Sequence, residues 1–256
     1  MELLIYIFLI LLVINLMLFT VNAFINNDKY ILFSYPVSFL VAIIILLFNS
    51  DFQIFNILIA SMVILWAIRL IVYLYLKTTY LEESSKKVEY LKKDIKIFFG
   101  YPLIQSVFVI IILLPVIFYY NIDLIEPNIL AAMLGFVIWA IGLYIEHISD
   151  IQKYNFFKNK KTRKNKWIDK GLWGYSRHPN YFGEILVWIG IYIFTFNFDI
   201  FPLIAIISPV LVIILLRYVT GVPFSERILD NQFRSYETYK EYKRETNLII
   251  PKIPKN

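Results

Sequence analysis

The chain alternates between long apolar runs and short polar connections. Residues 3–24, 31–48, 52–76, 97–120, 129–148, 181–196 and 200–219 are dominated by Ile, Leu, Val and Phe. Most of these runs reach about 18 residues, enough for a helix to cross a hydrocarbon core of roughly 30 Å. The run 181–196 is short and is expected to extend upstream through Pro179. The pattern predicts an all-α, multi-pass membrane protein of about seven transmembrane helices. Its organisation reads as one membrane domain over 1–256, with scaffold spans in 1–50, a core in 52–222 and a tail in 223–256. The first two spans are almost free of interior charge, and polar content rises from the third. In the tail Phe233, Tyr236, Tyr239 and Tyr242 fall three apart among charged residues. That spacing predicts an amphipathic helix or helix pair lying under the bundle, stopped by Pro251 and Pro254. A short helix over 88–96 and a Lys- and Asn-rich loop over 158–170 are expected between spans.

Charge fixes an orientation for these spans. Hydrophobic residues make up 59% of the chain and charged residues 17%, whereas a soluble domain is near half apolar and about a quarter charged. The 25 Lys and Arg are clustered. They concentrate in 77–96, in 153–177 and from 227 onward, and the connections at 49–51, 121–128 and 197–199 carry none. Alternate connections are therefore basic, which predicts the N-terminus outside and the C-terminus cytosolic. The net charge of +6 accounts for topology and attraction to anionic lipid. It also makes an electropositive mouth suited to a phosphorylated cofactor. Nucleic acid is not an expected partner, because no soluble module presents the charge. The first run lacks a basic n-region and a cleavage site, so it is expected to be a retained span. With no cysteine, disulfides, thiolate metal sites and a cysteine nucleophile are excluded. The two histidines have no metal-ligand spacing, so no metal site is expected.

Two segments carry chemistry. On the fifth span Glu146, Asp150 and Lys153 stand at i, i+4 and i+7, sharing one helical face that Gly142 and Trp139 continue into the membrane. Ionisable groups seldom face lipid, so two acids on one face predict a polar cavity wall. The second segment is Gly171-Leu-Trp-Gly-Tyr-Ser-Arg-His-Pro-Asn-Tyr-Phe-Gly-Glu184. Pro179 suits a first helical turn, which makes His178 the N-cap. Asn180, Tyr181 and Glu184 then lie on the opening turn and a half, where free backbone N–H groups suit a phosphate. Arg177 just outside can add charge-assisted hydrogen bonds, and Trp173 and Tyr175 can stack on a ring. Arg69, beside Trp66 in the third span, calls for an acid partner or a cofactor contact, and Arg217 for an acid partner.

The stretch 171–184 resembles the signature of the membrane steroid 5-alpha-reductase superfamily, and most resembles its bacterial-type, steroid-dehydrogenase-like branch. Leu65-Trp-Ala-Ile-Arg-Leu70, Gly142-Leu-Tyr-Ile-Glu-His-Ile-Ser-Asp-Ile-Gln-Lys153 and Gly221-Val-Pro-Phe-Ser-Glu226 agree with that branch. The resemblance runs from about Trp66 to the C-terminus. It implies a seven-helix membrane oxidoreductase acting on CH–CH groups, with NADPH entering from the cytosol and a steroid-like or other lipid enone as substrate. It further implies that Arg177, His178, Asn180, Tyr181, Glu184, Glu146, Asp150, Arg69 and Tyr175 line the cofactor site. The early-span Glu and Tyr that polarise the substrate carbonyl in steroid reductases have no motif-matched equivalent here. Tyr73 and Tyr101 are the available tyrosines, and the catalytic acid is unassigned. The Arg-His-Pro-x-Tyr core and following glutamate are shared with isoprenylcysteine carboxyl methyltransferases, which implies a second reading with S-adenosylmethionine as cofactor. A non-catalytic lipid-binding or transport protein is the third.

Overall fold

The computed structural model describes residues 2–25, 29–80, 95–121, 128–159, 166–197 and 201–253. The expected helix over 88–96 lies largely outside them, as does the middle of the 158–170 loop. Among the described residues there is no strand, and the long helices are those of a multi-pass helical membrane protein. Helices satisfy their own backbone within each segment, which a spanning element in lipid must do.

The chain forms two compact units, Met1–Pro127 with Asn197–Ala205, and Asn128–Phe196 with Ile206–Asn256. The first contains α1 (Glu2–Ile25), α2 (Lys29–Phe48), α3 (Ile54–Tyr80), α4 (Ile95–Ile112), α5 (Leu114–Asn121) and the single turn α8 (Phe201–Ile204). The second contains α6 (Ile129–Lys158), α7 (Pro179–Phe194), α9 (Ile207–Ile214), α10 (Val222–Phe233) and α11 (Glu237–Glu245). A π-helical turn, Leu215–Val219, joins α9 to α10.

Among the described residues, five helical runs are long and apolar enough to cross a membrane, and α4 with α5 makes a sixth if counted as one span, bent by 57°. The bend has a local cause. Pro115 enters at the start of α5 without an N–H for the preceding turn, and its ring displaces the carbonyl four residues back. The expected crossing at 181–196 does extend upstream to Pro179, but α7 is only 16 residues, or about 24 Å of helix. It is shorter than a full hydrocarbon crossing, and its first turns carry the polar signature.

In the first unit, Trp66 of α3 is fully buried edge-on against Phe39 and Tyr35 of α2, with ring centroids 5.1 and 6.2 Å away. Phe19 of α1 stacks on Tyr101 of α4 at 5.7 Å. The same helices share a buried polar network that hydropathy does not reveal. Asn15 Nδ2 donates to Ser106 Oγ at 2.9 Å, and Asn15 Oδ1 accepts from Ser38 Oγ and Gln105 Nε2, each at 3.0 Å. Gln105 Nε2 also donates to Ser34 Oγ at 2.8 Å. The hydroxyls of Ser34 and Ser106 donate in turn to the carbonyls of Ile31 and Pro102. Neutral side chains thus tie α1, α2 and α4 together where interhelical association has little hydrophobic drive.

In the second unit, α6 and α7 pack antiparallel through glycines. A Cβ on Gly142 would stand 2.7 Å from the Gly183 carbonyl oxygen, and one on Gly183 2.6 Å from the Glu146 nitrogen. One turn-pair deeper, a Cβ on Gly135 would collide with the Phe194 nitrogen, and one on Gly190 would meet the Trp139 nitrogen at 2.5 Å. Backbone against backbone leaves nothing to move aside, so these positions admit only glycine while the helices stay this close. The spacing of Gly183 beside Glu146 brings the two chemistry-bearing segments of the sequence together.

Candidate functional site

The site is built on the junction between the loop 166–178 and α7. Gly171 has φ +64°, a left-handed conformation that favours glycine, and starts a tight turn through Gly174. Gln152 of α6 fixes that turn by accepting the Leu172 N–H at 3.0 Å. Trp173 is buried, donates Nε1–H to the Ser149 carbonyl at 3.1 Å, and lies beneath the Lys153 ammonium at 5.3 Å. Its Nε1 edge and one face are thus used against α6. Tyr175 is 44% exposed.

His178 caps α7 and Pro179 opens it, as expected. The His178 side chain does not cap; it turns to Glu226 on α10. His178 Nε2 lies 3.0 Å from Glu226 Oε1, and Arg177 Nη1 donates to Glu226 Oε2 at 2.5 Å. Lys243 of α11 completes the cluster, 3.0 Å from Glu226 Oε2 and 2.7 Å from Asp230 Oδ1. Burial opposes the charge on Glu226, but His178, Lys243 and Arg177 outweigh it and hold its pKa down at about 2. Burial lowers the His178 pKa despite the pull of Glu226, with Lys153 and Arg177 adding to the lowering. A neutral imidazole beside an ionised, acceptor-only carboxylate must carry its proton on Nε2, which leaves Nδ1 as the ring's acceptor.

The next turn carries the remaining predicted residues. Tyr181 stacks on His178 with centroids 5.1 Å apart and rings 12° from parallel, and its hydroxyl shares a hydrogen bond with Ser225 Oγ at 3.1 Å. Asp150 and Glu184 lie near enough for their charges to act on that hydroxyl. Glu146 and Asp150 are both buried on α6. Two buried polar atoms of the signature have no hydrogen-bond partner among the described residues: Asn180 Oδ1 and Arg177 Nε.

The second unit therefore brings together Glu146, Asp150, Arg177, His178, Asn180, Tyr181 and Glu184. Arg69 is half-buried on α3 in the first unit, and Trp66 beside it is core packing. Among the described residues Arg217 meets an aromatic face, its guanidinium 5.0 Å from the Tyr218 ring centroid.

Sequence reasoning underrated the tail. α11 ends at Glu245, ahead of Pro251. Beyond α11 the chain becomes an extended strap held to the signature loop. Ser176 and Asn247 form a parallel bridge, Arg177 N donates to the Asn247 carbonyl at 2.8 Å, and Lys252 N donates to the Tyr175 carbonyl at 2.9 Å. Ser176 Oγ donates to the Ile249 carbonyl at 2.7 Å, and Tyr242 OH to the Trp173 carbonyl at 2.9 Å. Capture of this backbone, not proline, ends the helix. The three-residue aromatic spacing serves the same contact: Trp167 packs against Phe233, Tyr239 and Tyr242 at 5.5, 5.0 and 6.2 Å. The i, i+4 pairs Glu226/Asp230 and Tyr239/Lys243 were the available signal.

Residues 18–246, through both units to the end of α11, match the family described as protein of unknown function, DUF1295. The chain belongs to the DUF1295 family. DUF1295 is steroid 5-alpha-reductase-like, in line with the resemblance carried by residues 171–184. Among curated proteins and among solved structures, nothing matches the chain. The DUF1295 match takes in Glu226, Asp230 and Lys243 as well as the signature, so the cluster around Glu226 falls within the family's extent.

Proposed function

We propose that this DUF1295 protein is an NADPH-dependent membrane oxidoreductase that reduces a carbon–carbon double bond conjugated to a carbonyl in a flat lipid, steroid-like or otherwise. The observation that carries the reading is the pair of unsatisfied buried atoms, Asn180 Oδ1 and Arg177 Nε. A buried acceptor and a buried donor without partners each cost free energy. A dinucleotide can satisfy both, with a hydroxyl or amide N–H for Asn180 and a phosphate oxygen for Arg177. The donor set at the start of α7 fits the group on the same grounds, because a helix N-terminus and a guanidinium both favour phosphate.

When bound, NADPH supplies a hydride for the carbon beta to the carbonyl. The chain's own residues bind and orient. Arg177 is immobilised by Glu226 through one end of its guanidinium, so its Nε is presented without further loss of side-chain freedom. His178 stacks on Tyr181 and holds Glu226 beside Arg177. Glu146, Asp150 and Glu184 offer acceptors for ribose hydroxyls. The alternation of basic connections supports a cytosolic position for this end, with the N-terminus outside.

Asn180→Ala is the sharpest test, because Asn180 Oδ1 serves no protein partner among the described residues. The substitution should leave thermal stability unchanged and weaken NADPH binding by roughly fivefold, the worth of one hydrogen bond. Unchanged NADPH affinity would remove the argument from Asn180. Binding of S-adenosylmethionine in place of NADPH would move the reading to a methyltransferase.

A further inference from the structure

We infer that α10 is an interfacial helix whose outward face, Phe224, Arg227 and Ile228, docks on anionic lipid headgroups where the last span leaves the bilayer. α10 is the C-terminal part of the helical run Ile207–Phe233 and begins after the π turn Leu215–Val219 and Gly221, where the run turns from apolar to amphipathic. The turn carries exposed Tyr218 with the Arg217 guanidinium against its ring, the aromatic and cationic pairing typical of a membrane–water boundary.

The helix then sorts its residues by face. Val222 and Phe233 are buried. Both acids turn toward the protein, Glu226 to Arg177, His178 and Lys243, and Asp230 to Tyr239 and Lys243. Positions 224, 227, 228 and 231 share the opposite face by helical spacing. On that face Phe224 is 55% and Ile228 51% exposed, Arg227 and Asn231 are exposed, and no acid is present. Large apolar groups interleaved with a cation, with every acid withdrawn to the other side, match the chemistry of an anionic interface.

α11 supplies the contrast within one unit. Its exposed charges pair with one another, Lys240 with Glu237 at 2.9 Å and Arg244 with Glu241 at 3.8 Å. A surface whose cations are already answered by its own acids has little electrostatic reason to seek lipid, so α11 belongs in water. Because Glu226 stands on the inner face of α10, lipid contact and the hold on Arg177 share one helix. The inference does not depend on the cofactor.

The absence of native cysteine permits a direct test. Full-length Ile228→Cys, Asn231→Cys and Glu241→Cys are labelled with an environment-sensitive fluorophore. They are then placed in nanodiscs of phosphatidylcholine alone or with phosphatidylglycerol, each containing lipid spin-labelled at the headgroup. The label at 228 should be quenched several-fold more than at 241, and more strongly when phosphatidylglycerol is present. Adding Arg227→Glu should abolish the phosphatidylglycerol-dependent part. The label at 231 reports the same face if the 228 variant does not fold. Equal quenching at 228 and 241, or no dependence on phosphatidylglycerol, overturns the proposal. So does shielding at 228 that grows with protein concentration, which would mean a second chain covers the face.

Discussion

Glu226 and His178, far apart in sequence, meet at 3.0 Å, and the same carboxylate takes Arg177 on its other oxygen. The polar start of α7 is thereby locked by a residue from the amphipathic tail. Glu226→Gln would keep the shape but remove the charge that answers Arg177 and Lys243. Breaking one side of a mostly buried charge cluster costs about 3 kcal/mol. Thermal unfolding of the purified variant should show the loss, and Glu241→Gln, in the exposed pair with Arg244, should change little.

The two groups also set a pH dependence. His178 is held below its ordinary value of 6.5, so the unfolded chain binds its proton first as pH falls. Its contribution is fully present above about pH 6.5 and is lost progressively below it. Glu226, lowered from 4.5 to about 2, contributes above pH 4.5 and loses that contribution between 4.5 and 2. Melting temperature should be level above about pH 7, decline in a first step below about 6.5 and in a second below about 4.5. His178→Gln should remove the first step and leave the second.

The α6–α7 contact depends on absent side chains. Gly142→Ala or Gly183→Ala would set a methyl within 2.7 Å of opposing backbone. Each should destabilise by about 1–3 kcal/mol, the cost of overpacking. Gly100→Ala meets nothing within 4 Å and serves as the control, with unchanged or slightly raised stability. A Gly142 variant as stable as the Gly100 variant would mean the helices separate freely.

Asn15→Leu tests the buried network of the first unit. It strands Gln105 Nε2 and Ser38 Oγ from one acceptor and Ser106 Oγ from one donor. Interhelical hydrogen bonds in membranes average well under about 2 kcal/mol, so a loss of about 1 kcal/mol in detergent unfolding is expected.

Much of this was legible in the sequence because lipid restricts what a chain can do. The apolar runs became helices, and Pro179 and His178 took the first turn and cap that proline chemistry predicts. The i, i+4 spacing of Glu146 and Asp150 put them on one face, and Gly183 brought that face to the signature. Contacts between distant polar residues were not legible. Asn15, Ser38 and Gln105 each look incidental in an apolar run, and only packing makes them a network. Trp173 reads the same whether it faces a ligand or α6. The tail's hold on the signature loop was not legible, because backbone capture by Ser176 and Arg177 has no side-chain pattern to announce it, whereas Pro251 is a visible stop that the helix does not reach.

Ligand-dependent thermal stability of the purified protein in detergent tests the cofactor most directly. NADPH should raise the melting temperature in a saturable manner, with S-adenosylmethionine without effect and Asn180→Ala shifting the NADPH response to higher concentration. Stabilisation by S-adenosylmethionine alone, or by neither ligand at any concentration, would contradict it.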